Sequence, residues 1–296
     1  MTLMPRVVVV HRHTEYDELL AQHGSHGQAE FYLTTRGRAI AEVEQRHALQ
    51  QQALSQVEAA IPLGWRQGRV ERADLPRFLF APEDVVVVVG QDGLVANLAK
   101  YLRGQPVIGI NPDPARNPGI LVPLSPEVAG DALRGVVSGS VRLEDHTMVA
   151  ASADDGQRLL ALNEIFVGHR SHQTARYTVR TPDGRSERQA SSGLVVGTGT
   201  GATGWCRSIW QERASRLALP SAGKRQLVWF TREAWPSPAT GASLTEGLVS
   251  EPLVLSVESD QLVSFGDGLE GDHLTLRWGQ RVEIGVAEEV LRLALG

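Results

Sequence analysis

The stretch Val85-Val86-Val87-Val88-Val89-Gly90-Gln91-Asp92-Gly93-Leu94 decides the fold of the N-terminal half of the chain. Five consecutive valines predict a strand buried on both faces, as in a parallel sheet covered by helices. The glycines after them predict a turn, and the helix that follows carries Leu94 and Leu98 on one face. Asp92 is therefore expected at the carboxyl edge of the sheet, where open α/β folds bind their ligands.

Two more apolar runs, Val7–Val10 and Val107–Ile110, predict further buried strands. Between the first run and the valines, Ala39–Ile61 has apolar residues at roughly helical spacing and is followed by Pro62 and Gly64. This pattern predicts one amphipathic helix. The order strand, helix, strand, helix, strand is typical of a doubly wound α/β domain.

The C-terminal half has a different pattern, which begins at about Val136 and alternates polar and apolar residues. Ala175–Thr181 and Arg185–Ser191 flank Pro182-Asp183-Gly184. These three residues predict a turn between antiparallel strands, since Pro presets φ and Gly accepts a positive φ. The second half is therefore expected to be β-rich.

Composition limits the possible partners. The 296 residues include 29 Lys and Arg against 34 Asp and Glu, so the formal net charge is −5. A mildly acidic protein has no general attraction for nucleic acid or an anionic membrane, and we expect neither as a partner. The single cysteine, Cys206, excludes an intramolecular disulfide, and no apolar run reaches the roughly 18 residues of a membrane-spanning helix. We expect a soluble, cytoplasmic protein.

Asp92 is the first candidate for chemistry. It lies between the backbone N–H groups of a Gly-flanked turn and the positive end of a helix, an arrangement that attracts phosphate. A carboxylate among phosphates is expected to hold a metal or to take a proton. The alternative, equally open, is that Asp92 only caps the helix. His11 and His13 lack nearby Cys or paired carboxylates, so we expect no metal site built by the protein alone.

Two further segments carry polar groups that suggest a ligand. Leu194–Val196 predicts a strand that leads into Gly197–Trp205, where Gly and Thr alternate. Its backbone donors and hydroxyls suit a nucleotide, and a plain Gly-rich loop is the alternative. Ala161–Val167 predicts an apolar strand that contains Asn163-Glu164, two polar groups on opposite faces that need partners. The alternative here is an edge strand that faces water.

Together these segments resemble the NAD kinases, which use ATP to phosphorylate the 2′-hydroxyl of the adenosine ribose of NAD. The family's Gly-Gly-Asp-Gly is similar to Gly90-Gln91-Asp92-Gly93, its Asn-Glu pair to Asn163-Glu164, and its Thr- and Gly-rich loop to Thr198–Trp205. The resemblance is closest to the mitochondrial-type branch, through Pro106–Pro114 and Ser191–Leu194.

The resemblance implies an α/β N-terminal domain with a Rossmann-like parallel sheet at 1–130 and a β-rich NAD-binding domain at 131–278. A C-terminal segment, 279–296, would return to the first domain. ATP and Mg²⁺ are implied as the phosphoryl source, small nucleotides as partners, and a homodimer is expected. By resemblance Asp92 is the catalytic base, and Gly90 and Gln91 belong to the phosphate loop. The residues implied to bind substrate are Gly93, Asn163, Glu164, Thr198, Thr200, Gly201, Thr203, Gly204 and Trp205.

Two residues depart from the family's pattern: Gln91 stands at its second glycine, and Leu94 at the Thr that usually follows. Gln91 would adopt a positive φ only at a cost of about 1–2 kcal/mol, and its side chain would crowd the phosphate. The leading hypothesis is a NAD kinase. The alternatives are a catalytically weak or inactive relative that senses NAD or NADP, and a superfamily kinase acting on another hydroxyl, such as that of a lipid.

Overall fold

The computed structural model describes residues 5–295 and falls into two compact units. The first comprises the chain up to Glu144 together with the segment from Arg292, and the second is Asp145–Leu291. The boundary predicted after residue 130 would cut the helix Ala129–Ser138, which belongs to the first unit. The last strand joins the first unit only from Arg292, later than the predicted position 279.

A parallel sheet forms the centre of the first unit. Its strands are β1 (Arg6–His11), β2 (Arg66–Glu71), β3 (Val85–Val89), β4 (Pro106–Ile110) and the end of β16 (Arg281–Ala294). The order is β2-β1-β3-β4, and β16 pairs with β4 through Arg292 and Leu293. The two valine runs pair in register, from Val7 beside Val85 onward. The predicted α/β fold with a parallel sheet is confirmed.

The central strands β1, β3 and β4 of the sheet are buried on both faces, whereas the outer strand β2 is largely exposed. Every residue of β3 is buried, as the run of five valines predicts. On one face Leu54, Val57 and Leu133 pack against the strands. The helices of this unit are α1 (Glu15–His23), α2 (His26–Thr34), α3 (Ile40–Ala60), α4 (Asp92–Ala99) and α5 (Ala129–Ser138), with 3-10 turns at Arg72–Arg77 and Pro126–Val128.

After β1 and after β3 the chain continues toward opposite edges of the sheet. From β1 it leads through three helices to the outer strand β2, and from β3 it leads through α4 to β4 on the other side. Because β1 and β3 are neighbours, their carboxyl ends form the topological switch point, where doubly wound folds bind ligands. The residues after these strands, His13 and Thr14 on one side and Gly90 and Gln91 on the other, line one cavity.

Antiparallel strands form the second unit. They are β5 (Leu143–Ala153), β6 (Arg158–Ala161), β7 (Glu164–Gly168), β8 (Ala175–Arg180), β9 (Ser186–Ser191), β10 (Gly193–Gly197), β11 (Leu227–Arg232), β12 (Glu246–Val249), β13 (Leu253–Val257), β14 (Gln261–Gly266) and β15 (His273–Arg277). One sheet has the order β12-β11-β10-β7-β14-β15. In the other, β16 pairs with β13 and β5, β13 with β8, and β8 with β9.

The main core of the second unit draws on both groups of strands, with Tyr177 and Trp229 as its largest buried side chains. The 3-10 turn Gly201–Thr203 leads into α6 (Trp205–Glu212), whose Cys206 packs against the other face of the six-stranded sheet. The turn predicted at Pro182-Asp183-Gly184 joins β8 to β9. No helix among residues 5–295 is long and apolar enough to cross a membrane.

Gly109 in β4 has no room for a side chain. A Cβ atom there would overlap the carbonyl oxygen of Leu121, so we expect Gly109→Ala to destabilise the protein by about 1–3 kcal/mol. Gly27 in α2 is the matched control, since a Cβ there meets nothing within 4 Å and Ala favours a helix. Thermal denaturation should show a lower melting temperature for Gly109→Ala only. Equal melting temperatures for both variants would contradict this packing.

Candidate active site

The turn after β3 places Asp92 at the first position of α4. Its carboxylate accepts two backbone N–H groups, from Ile120 to Oδ2 at 3.1 Å and from Leu121 to Oδ1 at 2.8 Å. The cap position is occupied by Gln91, and no side chain makes a capping hydrogen bond there. The alternative role of Asp92 as a helix cap is therefore wrong, because its side chain instead holds the segment that follows β4.

Gln91 lies in extended backbone, with φ −109° and ψ 165°. The expectation that this residue needs a positive φ and is strained is therefore wrong. Its side chain is exposed, and its Nε2 donates to Oδ1 of Asn117 at 3.2 Å. Leu94, the other departure from the family's pattern, is buried against the turn and presents no group to solvent.

The segment Asn111–Leu121 is fastened to this turn along its length. Asn111 Nδ2 donates to the carbonyl of Asn117 at 2.9 Å, which shapes the segment from within. Gln91 holds its middle and Asp92 holds its end. The turn and the segment therefore form one hydrogen-bonded edge above β3 and β4.

A cavity of about 360 Å³ lies at the switch point of the first unit. Three arginines line it: Arg12 after β1, Arg46 on α3, and Arg116 in the segment after β4. Arg46 Nη2 lies 2.7 Å from Glu15 Oε2, and Arg116 Nε lies 4.0 Å from Asp113 Oδ2. Because Glu15 and Asp113 also line the cavity, its three arginines exceed its carboxylates by one, which leaves a small excess of positive charge beside Gly90 and Gln91.

The sequence analysis missed these arginines. Arg12 directly follows a predicted strand, and that position could have singled it out. Arg46 lies in the middle of an amphipathic helix, where nothing distinguishes it from a solvent-facing cation. Gln50, also on α3, is buried and donates from Nε2 to the carbonyl of Val89 at 2.9 Å, so it fixes the end of β3.

In the second unit, Asn163 lies outside the strand in which it was expected. Leu162 and Asn163 form a bend between β6 and β7, and Glu164 is the first residue of β7. Thr198 holds this bend from one side, with its Oγ1 donating to the carbonyl of Leu162 at 2.6 Å and its N–H to that of Asn163 at 2.9 Å. The bend leaves the side chains of Asn163 and Glu164 partly exposed.

The Thr- and Gly-rich loop uses its hydroxyls mostly within the protein. Thr198 is fully buried, and its Oγ1 accepts the N–H groups of Thr200 and Gly201. The hydroxyl of Thr200 lies 3.1 Å from Nδ1 of the buried His146. Thr203 donates to the carbonyl of Thr200 at 2.8 Å. These contacts give Thr198 and Thr200 a part in holding the loop.

Close packing explains two glycines of this loop. A Cβ on Gly197 would overlap Sγ of Cys206, and one on Gly201 would overlap the carbonyl oxygen of Asn163. Thr203 and Gly204 are exposed, and Trp205 is half-buried, with its ring centroid 5.9 Å from that of Phe166. The loop therefore presents its last three residues to solvent and packs its first residues against the bend.

Glu164 is an ionisable group of this region whose pKa is strongly raised. Burial, and then the neighbouring carboxylate of Asp267, raise its pKa to about 7. Cys206 lies on the other side, and burial followed by the charge of Glu164 raises the pKa of its thiol. No side-chain hydrogen bond or ion pair of Glu164 is formed within residues 5–295. Its carboxyl group is therefore available to a ligand near neutral pH.

Comparisons with known proteins show which proteins this chain is similar to. No protein-family model matches the chain. Part of it is 37% identical over 133 residues to the NAD kinase of Methylococcus capsulatus, covering 42% of this chain and 44% of the relative. It is 27% identical over 140 residues to that of Chlorobaculum tepidum, covering 47% of each. NAD kinase 2, mitochondrial, of Xenopus tropicalis matches at 26% over 269 residues, covering 69% of this chain and 63% of the relative.

The chain thus spans less than half the length of the first two relatives. The whole structure is similar to that of an NAD kinase from Archaeoglobus fulgidus in complex with ATP, with a TM-score of 0.58 and 19% identity, over 97% of this chain and 92% of that chain. The chain has the NAD kinase fold. The relatives that it matches in sequence are likewise bacterial and mitochondrial NAD kinases.

On this NAD kinase fold, we expect Glu164 to make stability depend on pH. A carboxyl whose folded pKa of about 7 exceeds its ordinary 4.5 binds its proton more tightly in the folded state. The resulting stabilisation is full below pH 4.5 and is lost as the pH rises through 7. The side chain in Glu164→Gln stays neutral, so the melting temperature of this variant should rise relative to that of the parent as the pH increases from 4.5 to 7.

The exposed Glu251 provides the control, since Glu251→Gln should follow the parent at every pH. Melting curves at intervals of pH would test the expectation. Parallel pH profiles for the parent and Glu164→Gln would contradict it.

Proposed function

We propose that this protein is an ATP-dependent kinase that phosphorylates the 2′-hydroxyl of the adenosine ribose of NAD, giving NADP. The observation that carries the proposal is the partly exposed Asp92 carboxylate, fixed in place after β3 in the unit whose switch point holds an arginine-lined cavity. Phosphoryl transfer depends mainly on positioning and on neutralising charge, and a carboxylate beside the attacking hydroxyl suffices as base.

The donor triphosphate is assigned to the first unit. Arg12, Arg46 and Arg116 would neutralise its phosphates, and the N–H groups at Gly90–Gly93 lie at the start of α4, where the helix dipole favours an anion. Phosphate oxygens are the ordinary ligands of Mg²⁺, and Asp113 lines the same cavity with a carboxylate that fits a hard cation. When bound, the cation would neutralise charge on the transferring group.

Asp92 would act as the base. The ribose oxygen forms a bond to the γ-phosphorus while the bond from that phosphorus to the bridging oxygen breaks, and ADP leaves. The hydroxyl proton passes to the carboxylate of Asp92. Each oxygen of this carboxylate accepts one backbone N–H, which leaves a lone pair for the proton.

NAD recognition is assigned mainly to the second unit. The Asn163 amide can donate and accept at once, which suits the edge of adenine, and the Glu164 carboxylate can accept from a ribose hydroxyl. Gly93 in the first unit, and Gly201, Thr203, Gly204 and Trp205 in the second, remain proposed lining residues. Thr198 and Thr200 would contribute by holding the loop and the bend.

The matches to mitochondrial NAD kinases support placing this chain near that branch. A homodimer and a cytoplasmic location stay predictions. The rival functions differ in what they bind. A sensor would bind NAD or NADP without turnover, and a lipid kinase would not bind the dinucleotide.

Incubation with NAD, ATP and Mg²⁺, with NADP read by a coupled dehydrogenase, tests the function directly. We expect turnover in the parent and a fall of about a hundredfold or more in Asp92→Asn, the usual contribution of a general base. NAD at millimolar concentration should still raise the melting temperature of the variant, because a ligand that binds only the folded state stabilises it.

Asn117→Ala is the matched control for Asp92→Asn. It loosens the segment after β4 by removing the side-chain bond to Gln91, yet leaves the Asp92 carboxylate intact. An equal loss of turnover in both variants would assign Asp92 a structural role instead of a catalytic one. If neither NAD nor NADP shifts the melting temperature, both the kinase hypothesis and the sensor hypothesis are wrong.

Gln91 is now expected to help the reaction. Its side chain steadies Asn117, so Gln91→Gly should raise the KM for ATP by roughly threefold, as the loss of one exposed hydrogen bond suggests. The KM for NAD should stay unchanged. Steady-state kinetics with each substrate varied would measure both. A rise in NADP formation would instead favour the hypothesis that Gln91 crowds the phosphate.

A further inference from the structure

Asp267 is a residue that no motif in the sequence singled out. It follows β14 and lies in the left-handed region of backbone conformation, at φ 52°. Its Oδ2 accepts the N–H of Leu162 at 2.9 Å, and its Oδ1 accepts that of Asn163 at 2.7 Å. Its own N–H donates to the carbonyl of Glu164 at 3.1 Å. Two hydrogen bonds therefore join this turn to the bend, and a third joins it to Glu164, the next residue along the chain.

Thr198 also holds the bend, through its two carbonyl oxygens. Thr198 donates to the carbonyl oxygens of both Leu162 and Asn163. With Asp267 taking the two N–H groups, every backbone donor and acceptor of these two residues is satisfied. The backbone of the bend is thus fixed, and the direction in which the side chain of Asn163 leaves it is fixed as well.

An aspartate at this position is costly. A positive φ is unfavourable for a residue with a Cβ, although Asp and Asn tolerate it better than most. The carboxylate also repels that of Glu164. Only an ionised carboxylate presents two acceptor oxygens to two adjacent N–H groups, because an amide has one oxygen and an NH₂ group that would meet a donor. The geometry of the bend requires the aspartate.

We propose that Asp267 is a positioning residue for dinucleotide binding, which acts by fixing the Asn163 side chain toward the adenosine part of NAD. This inference rests on the proposed function, since it takes the Asn163-Glu164 pair to recognise NAD. Asp267 itself touches no substrate in this role. Its removal weakens NAD binding and leaves the donor side unaffected.

Two variants test the role. Asp267→Asn keeps the shape of the side chain and loses one acceptor, and Asp267→Gly loses the carboxylate while relieving the positive φ. We expect each to raise the KM for NAD about tenfold, with the KM for ATP unchanged and kcat within about a factor of two. Glu270→Gln, an exposed acidic residue on the same loop, should change neither constant.

A double-mutant cycle distinguishes positioning from general stabilisation. If Asp267 acts through Asn163, then Asn163→Ala combined with Asp267→Gly should bind NAD no more weakly than Asn163→Ala alone. Fully additive losses would overturn the proposal, and so would an unchanged KM for NAD in both Asp267 variants.

The effect of NAD on the melting temperature of the parent distinguishes a failure of this inference from a failure of the proposed function. If NAD does not raise the parent's melting temperature, both fail. If NAD stabilises the parent and both Asp267 variants equally, only the role of Asp267 fails. Should Asp267→Asn be too unstable to assay, Asp267→Gly carries the test, because it removes the backbone strain together with the carboxylate.

Discussion

Burial of β3 on both faces is the constraint on which the first unit depends. None of its five valines reaches solvent, so helices must cover the sheet on either side. Polar chemistry is then confined to the ends of the strands. The switch between β1 and β3 opens a cavity at their carboxyl ends, and Asp92 follows β3 directly. The position of the candidate base thus follows from the packing of the strand that precedes it.

Both units solve the problem of fixing a polar turn in the same way. In each, an aspartate carboxylate accepts two consecutive backbone N–H groups of a distant segment: Asp92 takes those of Ile120 and Leu121, and Asp267 those of Leu162 and Asn163. Hydrogen bonds to an ionised acceptor are stronger than those between neutral groups. A turn held at two adjacent amides has little freedom to rotate, so the side chains next to it keep one direction.

The sequence predicted the elements that local pattern determines. The valine runs, the long helix α3 and the turn at Pro182-Asp183-Gly184 all follow from spacing and turn chemistry. It misjudged Gln91, because a glycine in a motif suggests a positive φ while the backbone here is extended. It could not find Asp267, which lies more than a hundred residues beyond the bend it holds and acts through tertiary contacts alone.

The Thr- and Gly-rich loop shows why a motif does not by itself identify a ligand. Gly197 leaves room for Cys206 and Gly201 leaves room for the carbonyl of Asn163, while Thr198 and Thr200 form hydrogen bonds within the protein. The same packing and hydrogen bonds would be needed in a relative that binds no ligand.

The two oxygens of the Asp92 carboxylate have unequal surroundings. Oδ1 receives the shorter bond, from Leu121, whose side chain is buried, whereas Oδ2 receives the longer one, from Ile120, whose side chain is exposed. If Asp92 takes a proton from a substrate hydroxyl, the longer and therefore weaker bond to Oδ2 favours that oxygen as the acceptor.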